Sequence, residues 1–118
     1  MVELLARADK EDAFVVIEDK KTTQFIQYGC DKEGLFIDIP LLKRADDEKQ
    51  RITEVFHSIG VDQPMMITSK DVTTRKPVII RSYQAAFAHD AKKATQFGFR
   101  LFREAYLLKT IDLRVETD

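Results

Sequence analysis

Residues 14–40 constrain the fold of this chain most strongly, because three apolar or alternating runs follow one another there across two charged breaks. The first run, residues 13–17, is continuously apolar, which is typical of a central strand covered on both faces. The second run, residues 22–28, and the third, residues 35–39, show the two-residue rhythm of strands. Pro40 is expected to stop the third strand, since proline has no N–H to donate. The short connections predict an antiparallel meander.

The two breaks between these runs are predicted turns. Residues 18–21 (EDKK) form a tight polar turn between the first and second strands. Residues 29–34 (GCDKEG) form a loop before the third strand, and Gly34 can supply a positive φ there.

Residues 47–59 form the clearest predicted helix. Asp47 fits the N-cap position, with Gln50 three residues later as in a capping box. Gly60 is expected to end the helix, and Val61 is expected to fold back on its apolar stripe, as in a Schellman motif. That stripe recurs at i, i+3, i+4 and i+7 and consists of Ile52, Val55, Phe56 and Ile59.

A second long helix is predicted from an N-cap at Asp90 to about Leu108. Its apolar residues cover so much of its circumference that it is expected to pack on more than one surface. The other predicted elements are a short helix over residues 2–8, a polar break over residues 9–12, and strands over residues 65–68 and 77–84. Residues 111–116 alternate as in a short final strand or an extended tail.

These elements predict one α+β domain that spans residues 1–118. A chain of 118 residues is close to the usual size of a domain and can bury an independent core. The predicted architecture has two layers. An antiparallel sheet contains the meander of three strands and the two strands that follow the first main helix, and the main helices, with the long C-terminal one, pack against one face.

Charge and composition indicate the compartment and limit the partners. The formal net charge of −1 gives no global field that would favour nucleic acid or an anionic membrane. The N-terminal residues do not resemble a signal peptide, and no apolar run reaches the roughly 18 residues of a membrane span. A single cysteine allows no internal disulfide. We therefore expect a soluble cytoplasmic protein with no membrane partner.

The charge is unevenly distributed along the chain. Residues 1–60 hold 9 Lys and Arg against 13 Asp and Glu, whereas residues 61–118 hold 10 against 7. The favoured interpretation is two solvated faces of one domain. The alternative is head-to-tail contact or an acidic partner.

The residues that could perform catalysis are few and scattered. His57 lies near a helix C-terminus, where the helix dipole favours a charged imidazole, and His89 lies in another element. No HExxH, CxxC, Walker A, GxGxxG or GxSxG pattern is present. A Cys30–His57 dyad is the remaining catalytic alternative. The sequence predicts no enzyme, no metal site and no cofactor.

A basic surface is a further alternative. Arg75, Lys76 and Arg81, together with Lys92 and Lys93, could contact phosphates, with aromatic residues nearby in the sequence to stack on bases. Nucleic-acid-binding domains are usually more basic than this chain. An ordinary solvated face is therefore the favoured interpretation.

The chain contains more large apolar side chains than a core of this size needs. Adaptable Met and aromatic side chains suit surfaces that accept a peptide or a second subunit. The alternatives are that the core takes all of them, or that Tyr28, Phe36 and Tyr106 line a small-ligand or regulatory pocket between the sheet and the last helix. The predicted protein-binding or dimer residues are Tyr28, Phe36, Met65, Met66, Phe99, Phe102 and Tyr106.

The strand pattern resembles that of the type III secretion chaperone-like superfamily, in particular its TY-Chap and YbjN-like members. Three motifs carry the resemblance: FVVI at residues 14–17, FIQY at residues 25–28 and GLFID at residues 34–38. PVIIR at residues 77–81 and the long last helix occupy the places of the later strand and closing helix. The resemblance implies a small homodimeric α+β domain, of chaperone or adaptor type, that binds a protein segment and has no catalytic site.

Overall fold

The computed structural model describes residues 2–8, residue 10 and residues 13–117. They form a six-stranded antiparallel sheet and three helices, the last of them long, and the predicted two-layer α+β fold is confirmed. The elements in chain order are α1 (Val2–Ala8), β1 (Phe14–Asp19), β2 (Phe25–Asp31), β3 (Gly34–Pro40), α2 (Asp46–His57), β4 (Met65–Lys70), β5 (Pro77–Ala88), α3 (Ala91–Arg100), which continues as a π-helical turn (Leu101–Ala105), and β6 (Leu113–Thr117).

The sheet has the strand order β4-β5-β3-β2-β1-β6, so β4 and β6 are its edges. The predicted meander forms its centre: Val15 of β1 lies opposite Tyr28 of β2, which lies opposite Ile37 of β3. The last strand closes back on β1, where Val115 pairs with Ile17. Among the described residues, no helix is long and apolar enough to cross a membrane.

The helices cover only one face of the sheet, and β1 shows this most clearly. Val15 and Ile17 are buried, whereas Phe14 is 44% exposed and Val16 is half-buried on the other face. The prediction that the first run is covered on both faces is therefore wrong. Its continuous apolar character reflects a more open face that also carries apolar residues, since Phe14 and Val16 alternate with the buried Val15 and Ile17.

The turns and strand ends differ from the prediction in detail. β2 continues to Asp31, so the predicted loop of residues 29–34 shrinks to a turn at residues 32 and 33. Gly34 has φ 114° as expected, and a side chain there would overlap the backbone of Ala88. Pro40 is the last residue of β3, which confirms its role as the end of the strand. Residues 9, 11 and 12 of the predicted polar break lie outside the described residues.

The caps of α2 were predicted correctly at one end only. Ala45 is the N-cap, and its methyl side chain makes no cap hydrogen bond. Asp47 lies in the first turn instead, where its carboxylate accepts from the Glu48 N–H at 2.9 Å and lies 3.2 Å from Arg51. At the other end Gly60 has φ 88°, and the Val61 N–H donates to the Phe56 carbonyl at 3.1 Å. This is the predicted Schellman arrangement.

The long C-terminal helix begins as predicted. The Asp90 carboxylate accepts a hydrogen bond from the Lys93 N–H at 3.0 Å, so Asp90 is the N-cap of α3. The helix ends at Ala105, before the predicted Leu108, after a π-helical turn in which the Tyr106 N–H donates to the Leu101 carbonyl.

The core lies between the sheet and the helices. Phe56 of α2 stacks on Tyr83 of β5 with ring centroids 5.0 Å apart, and it meets Phe97 of α3 edge to face, also at 5.0 Å. Both helices thus pack on the β5 side of the sheet through one aromatic cluster, which contributes packing beyond simple burial of area.

Candidate protein-binding surface

Strands β4 and β5 form a hairpin at one edge of the sheet. β4 pairs with β5 from Met65 opposite Ser82 to Lys70 opposite Pro77, and β5 in turn pairs with β3. Because β4 is the edge strand, its outer row of backbone N–H and C=O groups faces away from the sheet. Such a row can pair with a further strand.

Apolar side chains cover this hairpin without being buried. Met65 is 53% exposed and Met66 is 69% exposed, and the two point to opposite faces because neighbours along a strand alternate. Ile67 is 38% exposed, and Ile79 of β5 is 65% exposed. We define the β4 surface as Met65, Met66, Ile67 and Ile79.

The helix layer does not fill the space beside the β4 surface. A cavity of about 400 Å³ opens beside Met66, between β5 and the segment that leads into β4. Its lining mixes apolar groups with one cation and consists of Leu41, Thr53, Gln63, Pro64, Met66, Arg81 and Tyr83. The hairpin therefore offers an open strand edge beside a hollow that can receive a side chain.

The opposite edge of the sheet is protected. β6 has five residues, and its exposed positions include the charged pair Arg114 and Glu116. Arg114 also lies 3.8 Å from the carboxylate of Glu18 in β1. Short, charged edge strands resist pairing with other chains. At the other edge, the first three residues of β4 (Met65, Met66 and Ile67) carry no charge that would discourage such pairing.

The structure separates the seven predicted binding residues into three groups. Met65 and Met66 lie on the β4 surface. Phe36 and Phe99 are half-buried, and the Phe99 ring lies 5.6 Å from the Arg103 guanidinium carbon. Tyr28, Phe102 and Tyr106 are core residues within one chain, with exposures of 0%, 0% and 7%. These three side chains therefore belong to the hydrophobic core, which is one of the alternatives that the sequence allows.

Both buried tyrosines have specific polar partners. The Tyr28 hydroxyl donates to the Ala94 carbonyl at 2.6 Å, and the Tyr106 hydroxyl donates to the Phe25 carbonyl at 2.9 Å. Burial raises the pKa of Tyr28 above its usual value, and it raises the pKa of Tyr106 to about 12 although the Arg44 charge opposes this shift. These hydroxyls tie the last helix to the meander.

The three residues of the predicted small-ligand pocket do not line one cavity. Tyr28 points toward the helices, whereas Phe36 lies on the open face of the sheet, where its ring covers Gly29. The alternation of β2 and β3 sets this separation, because Phe36 pairs with Gly29 and Ile37 pairs with Tyr28.

The predicted basic residues do not form one surface either. Arg75 and Lys76 lie at the tip of the hairpin, before the first residue of β5, and Lys92 and Lys93 lie beyond its last residue. β5 has 12 residues and spans roughly 40 Å at about 3.4 Å per residue. This length keeps the two basic pairs apart.

Cys30 and His57 lie against different parts of the sheet. Cys30 is buried and pairs with Leu35, whereas the exposed His57 packs edge to face against Tyr83, which pairs with Ile39. Leu35 and Ile39 are four residues apart on β3, a distance of about 13 Å along the strand. His57 Nε2 instead lies 3.0 Å from the Asp62 carbonyl oxygen.

The sequence pointed to Met65 and Met66 but not to Ile67 and Ile79. The available signal was the continuous apolar run of residues 78–80, in which Ile79 must point to the opposite face from its two neighbours. The sequence pattern does not show that β4 lies at the edge of the sheet, since that position depends on the pairing of β3 with β5.

Comparison of the chain with protein-family models, with curated proteins and with solved structures gave no match. The resemblance to the type III secretion chaperone-like superfamily therefore stays a prediction.

Proposed function

We propose that this protein is a non-enzymatic protein-binding domain of chaperone or adaptor type, and that it acts as a homodimer joined through β4. The observation that carries the proposal is the exposure of Met65, Met66 and Ile67 on an edge strand. Exposed apolar edges are costly in a monomer because they promote uncontrolled pairing. A second copy that covers this edge removes that cost.

The sequence of β4 favours one antiparallel register between two copies. With Met66 opposite Met66 on a two-fold axis, Met65 lies opposite Ile67 of the second copy, on the same face of the joined sheet. Lys70 then lies opposite Asp62 of the second copy, and both residues are exposed in the single chain. Opposite charges that face each other across strands are favourable. The joined sheet would have twelve strands.

The mass of the protein in solution tests the proposal. Light scattering at high concentration is expected to give twice the chain mass of 13.6 kDa for the wild type and the monomer mass for Met66→Lys. Val72→Lys is the matched control, because Val72 is 95% exposed at the hairpin turn and lies outside β4. It is expected to stay dimeric.

Two results would contradict the proposal. A wild-type protein that stays monomeric at high concentration would remove the homodimer. A dimer whose mass is unchanged in Met66→Lys would place the contact away from β4. Circular dichroism of each variant shows that the fold is intact, so that a loss of mass reports the interface alone.

A further inference from the structure

The far half of β5 has a strand on one side only. β4 pairs with β5 as far as Ser82, and β3 pairs with the other side of β5 from Ser82 to Ala88. Among the described residues, no strand pairs with residues 83–88 of β5 on the side of β4. Residues 83–88 therefore form a second open strand edge, which starts where the pairing of β4 with β5 ends at Met65 and Ser82.

A groove of about 340 Å³ lies beside this edge, between β5, α3 and the end of α2. Its apolar part includes Phe87 and Phe97, whose ring centroids are 5.5 Å apart, and Ile59, which is 42% exposed. An apolar groove next to an open strand edge is the usual arrangement of sites that bind extended peptides.

The polar lining of the groove is cationic or neutral. It consists of Lys93, Gln96 and Arg100, all on α3, and no carboxylate lines the groove. Nε and Nη2 of Arg100 donate to Glu104, at 2.8 and 3.2 Å. A guanidinium carries five N–H donors, so Arg100 can bind a second carboxylate.

The position of the lysines adds a second argument. Lys92 and Lys93 occupy the first turn of α3, and that turn holds no acidic residue. Positive charges are unfavourable there because the helix dipole is positive at its N-terminus. The Asp90 carboxylate at the N-cap offsets part of this repulsion, and a bound carboxylate beside Lys93 would offset more of it.

We propose that the groove binds an extended segment of a partner protein in which an apolar side chain is flanked by acidic ones, with the pattern Glu-x-Leu-x-Glu. The backbone of the segment pairs with residues 84–86, because the Phe87 carbonyl already accepts a hydrogen bond from the Asp90 N–H and Ala88 has φ 50°. The leucine packs on Phe87, and the carboxylates reach Lys93 and Arg100. These two cations are seven residues apart, about 10.5 Å along the helix axis. The two glutamates are about 13 Å apart in an extended segment, which is within reach of both cations.

A labelled peptide tests this site directly. Fluorescein-labelled Thr-Glu-Thr-Leu-Thr-Glu-Thr is expected to bind the full chain with saturable polarisation and with affinity that falls as salt is added. Amide shifts of residues 84–86 in NMR spectra are expected to move on titration. The peptides with both glutamates changed to lysine, or with leucine changed to threonine, are expected to bind at least tenfold more weakly.

Two lysine variants form a matched pair. Lys93→Glu is expected to weaken binding of the acidic peptide at least tenfold and to improve binding of the lysine peptide. Lys92 lies on the same turn but outside the lining of the groove, so Lys92→Glu is expected to change the affinity for either peptide less than twofold. Equal effects of the two variants, no saturable binding by the wild type, or equal competition by octanoate would each overturn the proposal. Met66→Lys is expected to leave peptide affinity unchanged, because the groove does not include β4.

Discussion

Gly98 of α3 lies against the hydroxyl of Tyr28 on β2, so the helix backbone touches the sheet at this point. One turn earlier, the Ala94 carbonyl accepts the hydrogen bond of the same hydroxyl. A Cβ at position 98 would overlap the Tyr28 hydroxyl and come within 2.7 Å of Ile26 Cδ1. The last helix can pack this closely on the meander because residue 98 has no side chain.

Gly98→Ala is expected to destabilise the protein by about 1–2 kcal/mol. Alanine is favoured over glycine in a helix by roughly 1 kcal/mol, but an additional methyl group in a packed core costs about 1–3 kcal/mol. Because the added methyl group would overlap two fully buried side chains, the cost of overpacking is expected to exceed the gain in helix propensity. Urea unfolding measures the difference.

The control for this change is Lys92→Ala, at an exposed position of the same helix, which is expected to alter stability by less than about 0.5 kcal/mol. Tyr28→Phe in the Gly98→Ala background is expected to recover part of the loss, because it removes the overlapping oxygen. A Gly98→Ala protein as stable as the wild type would show that α3 does not pack on Tyr28 in this way.

The buried hydroxyl of Tyr106 makes stability depend on pH in the alkaline range. Burial raises its pKa to about 12, whereas a tyrosine in the unfolded chain ionises near 10. The stabilising contribution is therefore complete below pH 10 and is lost as the pH rises through 12. Between pH 8 and pH 11, the wild type is expected to lose about 1.4 kcal/mol more than Tyr106→Phe.

Urea unfolding of both proteins at several pH values checks this expectation. Tyr106→Phe is less stable at pH 8 by about 1 kcal/mol, because the hydrogen bond to the Phe25 carbonyl is lost. The two stability curves are then expected to approach each other above pH 10 and to cross before pH 11. Curves that stay parallel would mean that the Tyr106 hydroxyl is ionised as easily in the folded protein as in the unfolded chain.

Asp19 joins the turn after β1 to the segment that leads into β6. Its carboxylate accepts hydrogen bonds from the Asp112 N–H at 3.1 Å, from the Thr22 hydroxyl at 2.8 Å and from the Thr22 N–H at 3.0 Å. These bonds, the one from Asp112 first, hold the pKa of Asp19 below its usual value. The stability they give is present above the unfolded pKa and is lost as the pH falls through the folded one.

Asp19→Asn is therefore expected to lower the melting temperature by several degrees at pH 7. The difference from the wild type is expected to shrink as the pH falls below 3.8, where the unfolded chain binds a proton at Asp19, and to end below the lower pKa of the folded carboxyl. Glu33→Gln, in the exposed turn between β2 and β3, is the control and is expected to change the melting temperature little. A difference that does not depend on pH would show that the charge of Asp19 is unimportant.

Local patterns were sufficient to predict most elements of this fold. The Asp90 cap and the Gly60 end of α2 each depend on residues within a few positions, so the sequence shows them directly. Asp19 was assigned only to a polar turn, because its partner Asp112 lies 93 positions away. The predicted Asp47 cap was wrong by two positions, since the N-cap is Ala45, whose side chain cannot accept a hydrogen bond and so gives no capping signal in the sequence.

The binding surface was predicted only in part for the same reason. A methionine or aromatic residue in a strand is apolar wherever it lies, and the strand order decides whether it is covered. Met66 is exposed because β4 is an edge, whereas Tyr28 is buried because β2 lies under α3. The strand order results from pairing between β3 and β5, which are far apart in the chain.

Met66→Cys is expected to form a disulfide between two chains under mild oxidation. In the proposed register Met66 lies on the two-fold axis, opposite itself, with Cα atoms about 4.5–5.5 Å apart. This separation falls within the range that a disulfide spans. Gel electrophoresis without reductant, and intact mass, are expected to show most of the oxidised protein as a covalent dimer.

Thr68→Cys is the matched control, two residues further along the same exposed strand. In the proposed register Thr68 faces Pro64 of the second copy, so the two introduced thiols are about 13 Å apart and cannot join. The native Cys30 is buried and is present in both variants, so it contributes the same background. Equal cross-linking of the two variants would rule out this register, and cross-linking of Thr68→Cys alone would shift the axis by two residues along β4.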